Sequence, residues 1–320
     1  MYSSEWNQVN KIAQRWDTFP SGCTYIGVHV GSSDRVCDPL SSRRVELRHH
    51  ETELRGLRVH WVEAGAGPPL LLVHGLLVSH LEWLPVIEQL AGSFRCIAPD
   101  LPGFGKSDKP GERHFPYTRE AFADTLRELL RALGVERAHV VGHSLGGAVA
   151  LTFAADHAAS VDRLALIDTA VYEFRLPVKG RIPLVPVLGP LVFKRLYGRS
   201  MFRAYFEDDV FNGHDGVDLA RVDQYYEDFD SKEGREAAYA ALVNTLDVTS
   251  LLPRIPRVKA PTLVIWGDED RLVPVGLGHR LAREIPNARL SIVERSGHAP
   301  NEEHAARTAK LLLDHFSGER

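Results

Sequence analysis

The feature that most constrains this chain is an alternation of short apolar runs with amphipathic stretches. Several runs rich in Val, Leu and Ile are apolar on both faces and end at Gly, Asp or Pro, which is typical of parallel strands covered by helices. Amphipathic stretches follow them, as at residues 119–133, where the apolar positions share one helical face. The alternation predicts an α/β fold with a doubly wound, mostly parallel sheet.

The same patterns give approximate bounds for the elements. The predicted strands are residues 57–62, 70–73, 94–98, 138–141, 163–167, 262–266 and 289–293. The predicted helices are residues 81–90, 119–133, 148–156, 277–285 and 305–316. We expect a core made of residues 43–170 and 252–320. Residues 1–42 show no clean periodicity, and we interpret them as an extension that is either a helix plus a loop or partly disordered.

Residues 171–251 interrupt the alternation, because they show prolines, aromatic residues and helical patterns but no strand signal. Ligands of doubly wound sheets bind outside the carboxyl ends of the strands, so we expect a helical lid over that edge. Some of its aromatic side chains should pack on the core and others should line an apolar pocket. They are Phe174, Phe193, Tyr197, Phe202, Tyr205, Phe206, Phe211, Tyr225, Tyr226, Phe229 and Tyr239.

Composition argues against several classes of protein. A net charge of −4 gives no basic excess for neutralising phosphates, so we expect no nucleic-acid partner. Residues 1–20 lack the apolar segment of a secretory signal, and no apolar run is long enough to span a bilayer, so a cytoplasmic location is expected. Three scattered cysteines do not make a disulfide framework, although a Cys23–Cys37 link is an alternative to reduced thiols.

The most informative motif is Gly142-His143-Ser144-Leu145-Gly146, which matches G-x-S-x-G between a predicted strand and a predicted helix. That turn exposes the serine hydroxyl at the sheet edge, and the flanking glycines let strand and helix backbones approach closely. The helix N-terminus adds free N–H groups beside a developing anion. We therefore predict that Ser144 is a nucleophile. The alternative is a glycine-rich turn that carries a surface serine.

Together with four other segments, this motif resembles the α/β-hydrolase superfamily, in particular its serine carboxylesterases and lipases, from about residue 43 to residue 320. The resemblance implies a serine hydrolase that needs no cofactor. The segments, in the family's order, are His74-Gly75-Leu76, Asp100-Leu101-Pro102-Gly103-Phe104-Gly105-Lys106-Ser107, Gly142-His143-Ser144-Leu145-Gly146-Gly147, Trp266-Gly267-Asp268-Glu269-Asp270 and Ser296-Gly297-His298.

A serine hydroxyl needs a base and the base needs a carboxylate. Among fifteen histidines, His298 follows a predicted strand on a short loop, which puts it at the same sheet edge as Ser144. The family pattern Trp-Gly-x-x-Asp selects Asp270 as the acid. Asp268 is the alternative, and Asp168 is a further candidate that we interpret as structural.

The oxyanion of an acyl-transfer reaction needs two N–H donors. Leu145 follows the nucleophile, and the resemblance implies that the backbone N–H of Leu76 is the second donor. We interpret His74 as a structural residue of that loop, and His143 as a packing residue behind the serine.

Metal binding is not expected. The acidic segment Asp268-Glu269-Asp270 is interpreted as solvated, and His298 and His304 lack a third ligand at recognisable spacing.

We therefore expect a hydrolase of small-molecule carboxylic esters with an apolar acyl or alcohol group, acting through an acyl-enzyme. One alternative is a C–C bond hydrolase of the meta-cleavage type. Those enzymes typically have Asn before the nucleophilic serine and Met after it, whereas this chain has His143 and Leu145 at these positions. Another is a non-catalytic small-ligand receptor on the same fold. Epoxide hydrolases and haloalkane dehalogenases of this superfamily use an aspartate where Ser144 stands, which argues against them.

The first half of the lid is basic, with no acidic residue between Glu173 and Glu207. An interfacial patch that contacts lipid is one interpretation. A solvated face balanced by the acidic second half, residues 207–236, is the one we favour. The basic residues are Arg175, Lys179, Arg181, Lys194, Arg195, Arg199 and Arg203.

Overall fold

The computed structural model describes residues 34–37, 44–173, 182–185, 187–211 and 218–318. In these ranges nine strands form one sheet in the order β1-β2-β3-β5-β4-β6-β7-β8-β9. Strands β1, β2, β3 and β5 pair antiparallel, and all neighbours from β5 onward are parallel. The predicted α/β class is confirmed. The strands are β1 (Asp34–Cys37), β2 (Arg44–Leu54), β3 (Leu57–Ala64), β4 (Pro69–Val73), β5 (Arg95–Pro99), β6 (Ala138–His143), β7 (Val161–Ile167), β8 (Thr262–Gly267) and β9 (Ala288–Val293).

Helices connect the parallel strands and also fill the interval between β7 and β8. The α-helices are α1 (Leu84–Leu90), α2 (Arg119–Ala132), α3 (Leu145–Asp156), α4 (Leu188–Leu191), α5 (Arg199–Tyr205), α6 (Leu219–Phe229), α7 (Lys232–Asn244), α8 (Val275–Glu284), α9 (Pro300–Glu303) and α10 (Ala305–Phe316). Short 3₁₀ helices occur at His80–Trp83, Ala158–Ser160, Ile182–Leu184 and Leu252–Arg257, and single π-helical turns occur at Val192–Leu196 and Phe206–Val210.

Apolar cores lie on both faces of the sheet. Adjacent residues of β6 show this directly, because Val140 belongs to one core and Val141 to the other. The first core receives side chains from α2, α3 and α8, and the second receives side chains from α1 and α10. A sheet covered in this way is doubly wound, and it exposes the carboxyl ends of its parallel strands to the lid.

Two strands differ from the expectation. Strand β2 (RVELRHHETEL) is mostly polar because it belongs to the antiparallel edge and pairs with β3, so it lacks the apolar signal of a buried strand. Strand β1 lies within residues 1–42, where we expected a helix plus a loop or disorder. Its four polar-rich residues form a strand only by pairing with β2. Cys23 lies outside the described residues, and Cys96 is a buried free thiol in β5.

The described parts of the lid are helical and contain no strand, as expected. Arg199 forms ion pairs with Asp223 and Glu227, and Arg203 also pairs with Asp223, so the basic and acidic halves partly neutralise each other. The solvated face stays our prediction, and lipid contact stays the alternative to it. Several large apolar side chains nevertheless face solvent: Val185, Val187, Leu188, Leu191, Leu196 and Met201. Among the described helices, none is long and apolar enough to cross a membrane.

Candidate active site

Ser144 stands at a sharp turn between β6 and α3. Its backbone has φ 52° and ψ −117°, which is the left-handed region that non-glycine residues avoid. The turn depends on its glycines. A Cβ on Gly142 would lie 2.2 Å from the carbonyl oxygen of Gly146, and a Cβ on Gly146 would lie 2.2 Å from that of Val73. Only glycine fits at both positions, which explains the motif found in the sequence.

The structure brings the three predicted side chains into one row. The Ser144 Oγ lies 2.8 Å from Nε2 of His298, and Nδ1 of His298 lies 2.8 Å from Oδ2 of Asp270. An ionised carboxylate can only accept, so Nδ1 carries the ring proton and Nε2 is free to accept from the serine hydroxyl. His298 is 4% exposed and Asp270 is 8% exposed, which shields these hydrogen bonds from water.

Asp270 is held as a carboxylate. Burial acts to raise its pKa, but the charge and hydrogen bond of His298 and the N–H of Val273 leave the pKa below its ordinary value. The other oxygen, Oδ1, accepts from the backbone N–H groups of Leu272 and Val273, both at 2.8 Å. The alternative acid, Asp268, instead accepts from the backbone N–H of Ser296 at 3.4 Å.

Asp168 lies beneath this row, at the end of β7. It is fully buried, its Oδ1 accepts from the backbone N–H of Gly267 at 3.0 Å, and it lies within 4.8 Å of the polar atoms of Asp270 and His298. Burial and the negative charge of Asp270 raise the pKa of Asp168 well above its ordinary value. The site therefore favours the protonated form of Asp168 more than water does, in contrast to its neighbour.

Leu76 and Leu145, the two residues whose backbone N–H groups were predicted as oxyanion donors, both line the cavity above Ser144. Neither donates to an acceptor in the described part of the chain, and Leu145 is the first residue of α3, where the helix dipole favours negative charge. His74 fixes the loop that carries Leu76. Its Nδ1 donates to the carbonyl of Gly75 at 2.8 Å and its Nε2 accepts from the N–H of Leu101 at 2.9 Å.

His143 makes a contact that the sequence did not predict. Its Nδ1 lies 2.9 Å from Oε2 of Glu82, and its Nε2 lies 2.7 Å from the backbone carbonyl of His298. Glu82 is completely buried and belongs to the 3₁₀ helix before α1. We expected His143 to be a packing residue, and its partner escaped notice because Glu82 is 61 residues distant and stands in an ordinary amphipathic segment.

A cavity of about 800 Å³ opens above Ser144 and is lined mainly by apolar side chains. Four of the lid aromatics predicted to line such a pocket do so, namely Phe193, Tyr197, Tyr205 and Phe206. Five others pack in the apolar core instead: Phe202, Phe211, Tyr225, Tyr226 and Phe229. Phe174 lies outside the described residues. The volume and lining suit a small, largely apolar ligand.

Two clusters of three buried side chains within the described ranges have the composition of metal ligands: His60, His80 and Asp100, and Asp168, Asp270 and His298. In the first, Asp100 accepts from Nδ1 of both histidines and from the backbone N–H groups of His80 and Lys106. In the second, both ring nitrogens of His298 are engaged as described. Hydrogen bonds thus engage most of the polar atoms of both clusters, whereas Nε2 of His80 and Oδ2 of Asp168 are buried without a partner among the described residues.

A family model described as the alpha/beta hydrolase fold matches residues 68–305. This match spans well over half of the chain, including the serine turn and the histidine loop. The chain belongs to the α/β-hydrolase family.

Similar proteins of this family differ in what their names say. A 2-hydroxymuconate semialdehyde hydrolase from Pseudomonas sp. (strain CF600) is 32% identical over 268 residues, covering 81% of this chain and 90% of that protein. A solved membrane phospholipase A is 29% identical with a TM-score of 0.69, covering 86% of this chain and 87% of the other. The epoxide hydrolase CorEH is 27% identical with a TM-score of 0.71, covering 86% and 100%.

Proposed function

We propose that this α/β hydrolase cleaves carboxylic esters that carry an apolar acyl or alcohol group, through an acyl-enzyme on Ser144. The observation that carries the proposal is the row of hydrogen bonds from Ser144 through His298 to Asp270, at the base of an apolar cavity. The nucleophile, the base and the acid each lie within hydrogen-bonding reach of the next, and the chemistry needs no cofactor.

In the first half of the reaction, Nε2 of His298 takes the proton of Ser144 as Oγ attacks the ester carbonyl carbon. The carbonyl oxygen becomes an oxyanion that accepts from the N–H groups of Leu76 and Leu145. Asp270 stabilises the imidazolium. The tetrahedral species then collapses, the bond from carbon to the alcohol oxygen breaks, and His298 returns the proton to the leaving alcohol.

In the second half, water takes the place of the alcohol. His298 removes one of its protons while the water oxygen attacks the acyl carbon. The same two N–H groups hold the second oxyanion. Collapse breaks the bond to Ser144, His298 protonates the serine oxygen, and the carboxylic acid leaves.

The cavity lining favours a neutral ester. Among the described residues that line the cavity, Arg119 is the only lysine or arginine. Its guanidinium donates to the backbone carbonyls of Thr245 and Asp247. A substrate carboxylate would therefore have to compete with these hydrogen bonds for its counter-ion. The similar phospholipase A is by name an enzyme that acts on esters, which supports the same choice.

A second candidate is hydrolysis of a C–C bond beside a ketone, and the similarity to the 2-hydroxymuconate semialdehyde hydrolase favours it. The substrate of such a reaction, a ring-cleavage dienoate, carries a carboxylate and would need the counter-ion discussed above. Epoxide opening is disfavoured, because Ser144 stands where the epoxide hydrolases of this family use an aspartate.

Labelling with a fluorophosphonate, followed by turnover of p-nitrophenyl esters of increasing chain length and of a ring-cleavage dienoate, tests the proposal. We expect modification of Ser144, ester turnover with a preference for apolar acyl groups, and loss of both in Ser144→Ala. Faster turnover of the dienoate would favour the second candidate. Binding of an ester without label or turnover would indicate a non-catalytic receptor.

A further inference from the structure

We propose that Glu82 and His143 are positioning residues: a buried ion pair that holds the histidine loop and the oxyanion loop against the nucleophile. The proposal rests on the serine hydrolase function above. It assigns a role to two charged side chains that take no part in the proton transfers.

The hydrogen bonds of His143 define its charge. A backbone carbonyl can only accept, so Nε2 of His143 must donate to the carbonyl of His298, at 2.7 Å. Its other nitrogen faces a carboxylate oxygen of Glu82 at 2.9 Å. An imidazolium satisfies both contacts at once, and a neutral ring with an ionised Glu82 satisfies only one. With an ionised Glu82, His143 is therefore a two-ended donor, and its charge strengthens both hydrogen bonds.

The groups around His143 support this protonation state. Burial lowers the pKa of His143, but the charge and hydrogen bond of Glu82, the carbonyl of His298 and the charge of Glu302 outweigh it, so that the pKa lies above its ordinary value. Glu82 comes from the 3₁₀ helix before α1 and Glu302 from α9. His298 is the third ionisable group near the ring, with ring centroids 5.1 Å apart.

The ion pair contacts the loop that carries the oxyanion donor and lies next to the nucleophile in sequence. The second oxygen of Glu82 accepts from the backbone N–H of Gly75 at 3.2 Å, and Gly75 immediately precedes the oxyanion donor Leu76. His143 immediately precedes Ser144. A Cβ on Gly75 would lie 3.2 Å from Nδ1 of His143, so the oxyanion loop already approaches the turn closely.

The backbone of the loop that carries His298 is held by two hydrogen bonds. The carbonyl of His298 accepts from His143, and the N–H of His298 donates to the carbonyl of Val210 in the lid at 2.7 Å. With the peptide groups fixed, the ring can hold Nε2 on Ser144 and Nδ1 on Asp270 at the same time. Loss of the Glu82–His143 pair should therefore displace the base rather than the substrate.

The test uses Glu82→Gln, which keeps an acceptor for Gly75 but removes the charge, and His143→Gln, which removes the imidazolium. We expect kcat on a p-nitrophenyl ester to fall roughly 10- to 100-fold, the range for a small misplacement of reacting groups, with little change in KM. The double variant should be no slower than the slower single variant, because the two residues act as a unit.

The pH profile separates positioning from a merely structural role. In the wild type kcat should decline at alkaline pH as His143 loses its Nδ1 proton. Glu82→Gln should move this decline to lower pH, because the charge that favours the imidazolium is gone. The matched control is Glu63→Gln, which removes the charge of a buried carboxylate on β3. Glu63 forms ion pairs with Arg48 and Arg95 and does not line the cavity. The control should keep the wild-type kcat and profile.

Nuclear magnetic resonance of ¹⁵N-histidine in the full-length wild type provides a readout that needs no turnover. We expect one buried ring with both nitrogens protonated at pH 7, absent from His143→Gln. A neutral ring there, or a Glu82→Gln variant with wild-type kcat and pH profile, would overturn the proposal. If no ester is turned over, the ester function fails, and the resonance experiment still decides whether the ion pair exists.

Discussion

Two neighbouring carboxyl groups in this protein are expected to have opposite ionisation, and isosteric amides reveal which one carries the charge. Asp270 is ionised against His298, whereas burial and the charge of Asp270 raise the pKa of Asp168. Asp270→Asn should lower kcat by about 10⁴-fold, as the loss of the acid does in other serine triads, because the amide favours the wrong tautomer of His298. Asp168→Asn should leave kcat within roughly threefold, because the amide keeps an acceptor for the Gly267 N–H and adds no charge beside Asp270.

Asp168→Asn should have a larger effect on the free energy of unfolding than on kcat, and the effect should be stabilising. The pKa of Asp168 is raised in the folded state, so the unfolded chain releases a proton that the fold retains, and stability falls as pH rises above the ordinary aspartate pKa. Keeping an aspartate protonated above its ordinary pKa costs stability, and this cost grows as pH rises. Asp168→Asn removes this cost and keeps the acceptor for the Gly267 N–H, so it should be more stable than the wild type at pH 7, with the advantage vanishing near pH 4.

Urea unfolding at pH 4, 5.5 and 7, together with kcat on one p-nitrophenyl ester, measures both effects. Asp168→Ala is the matched control, because it leaves the N–H of Gly267 without an acceptor, at a cost of about 1–3 kcal/mol. If Asp168→Asn loses as much activity as Asp270→Asn, the assignment of charge to Asp270 alone is refuted.

Three further predictions follow from local contacts. Gly142→Ala should destabilise the fold by about 1–3 kcal/mol or more, because the new Cβ meets the carbonyl of Gly146 at 2.2 Å. It should also lower labelling by a fluorophosphonate. Thermal melting checks the loss of stability, and an unchanged melting temperature would contradict it. Burial raises the pKa of Glu302 to about 7, so stability should fall between pH 4.5 and 7, by at most about 3 kcal/mol, and Glu302→Gln should flatten that dependence in pH-dependent melting; a wild type without the slope would argue against it. Val192→Trp should fill part of the cavity and lower kcat/KM for long acyl chains much more than for acetate in a chain-length panel, whereas equal losses would mean that Val192 does not border the acyl site.

The parallel part of the fold could be predicted from the sequence because several of its strands are apolar on both faces. Strands β4, β6, β7 and β8 fall within two residues of their predicted bounds. Strand β2 could not be found in this way, because charged and polar side chains predominate among its eleven residues. Helix α3 begins three residues earlier than predicted, since the turn at Ser144 leads directly into it.

The site divides along the same line. Ser144, Asp270 and His298 stand in local motifs whose spacing along the chain can be recognised, and the structure brings them together. Glu82 has no such signal, because its importance comes from contacts with the distant His143 and with the backbone of Gly75 that form only in the folded chain. The raised pKa of Asp168 likewise depends on burial and on a neighbour 102 residues away, which a single sequence does not display.

The acyl-enzyme is the central claim, and a stopped-flow measurement with a p-nitrophenyl ester tests it most directly. The account predicts a burst of p-nitrophenol equal to one per active site, followed by slower turnover, with no burst in Ser144→Ala. Turnover that proceeds in the Ser144→Ala variant at a rate near that of the wild type would contradict the account.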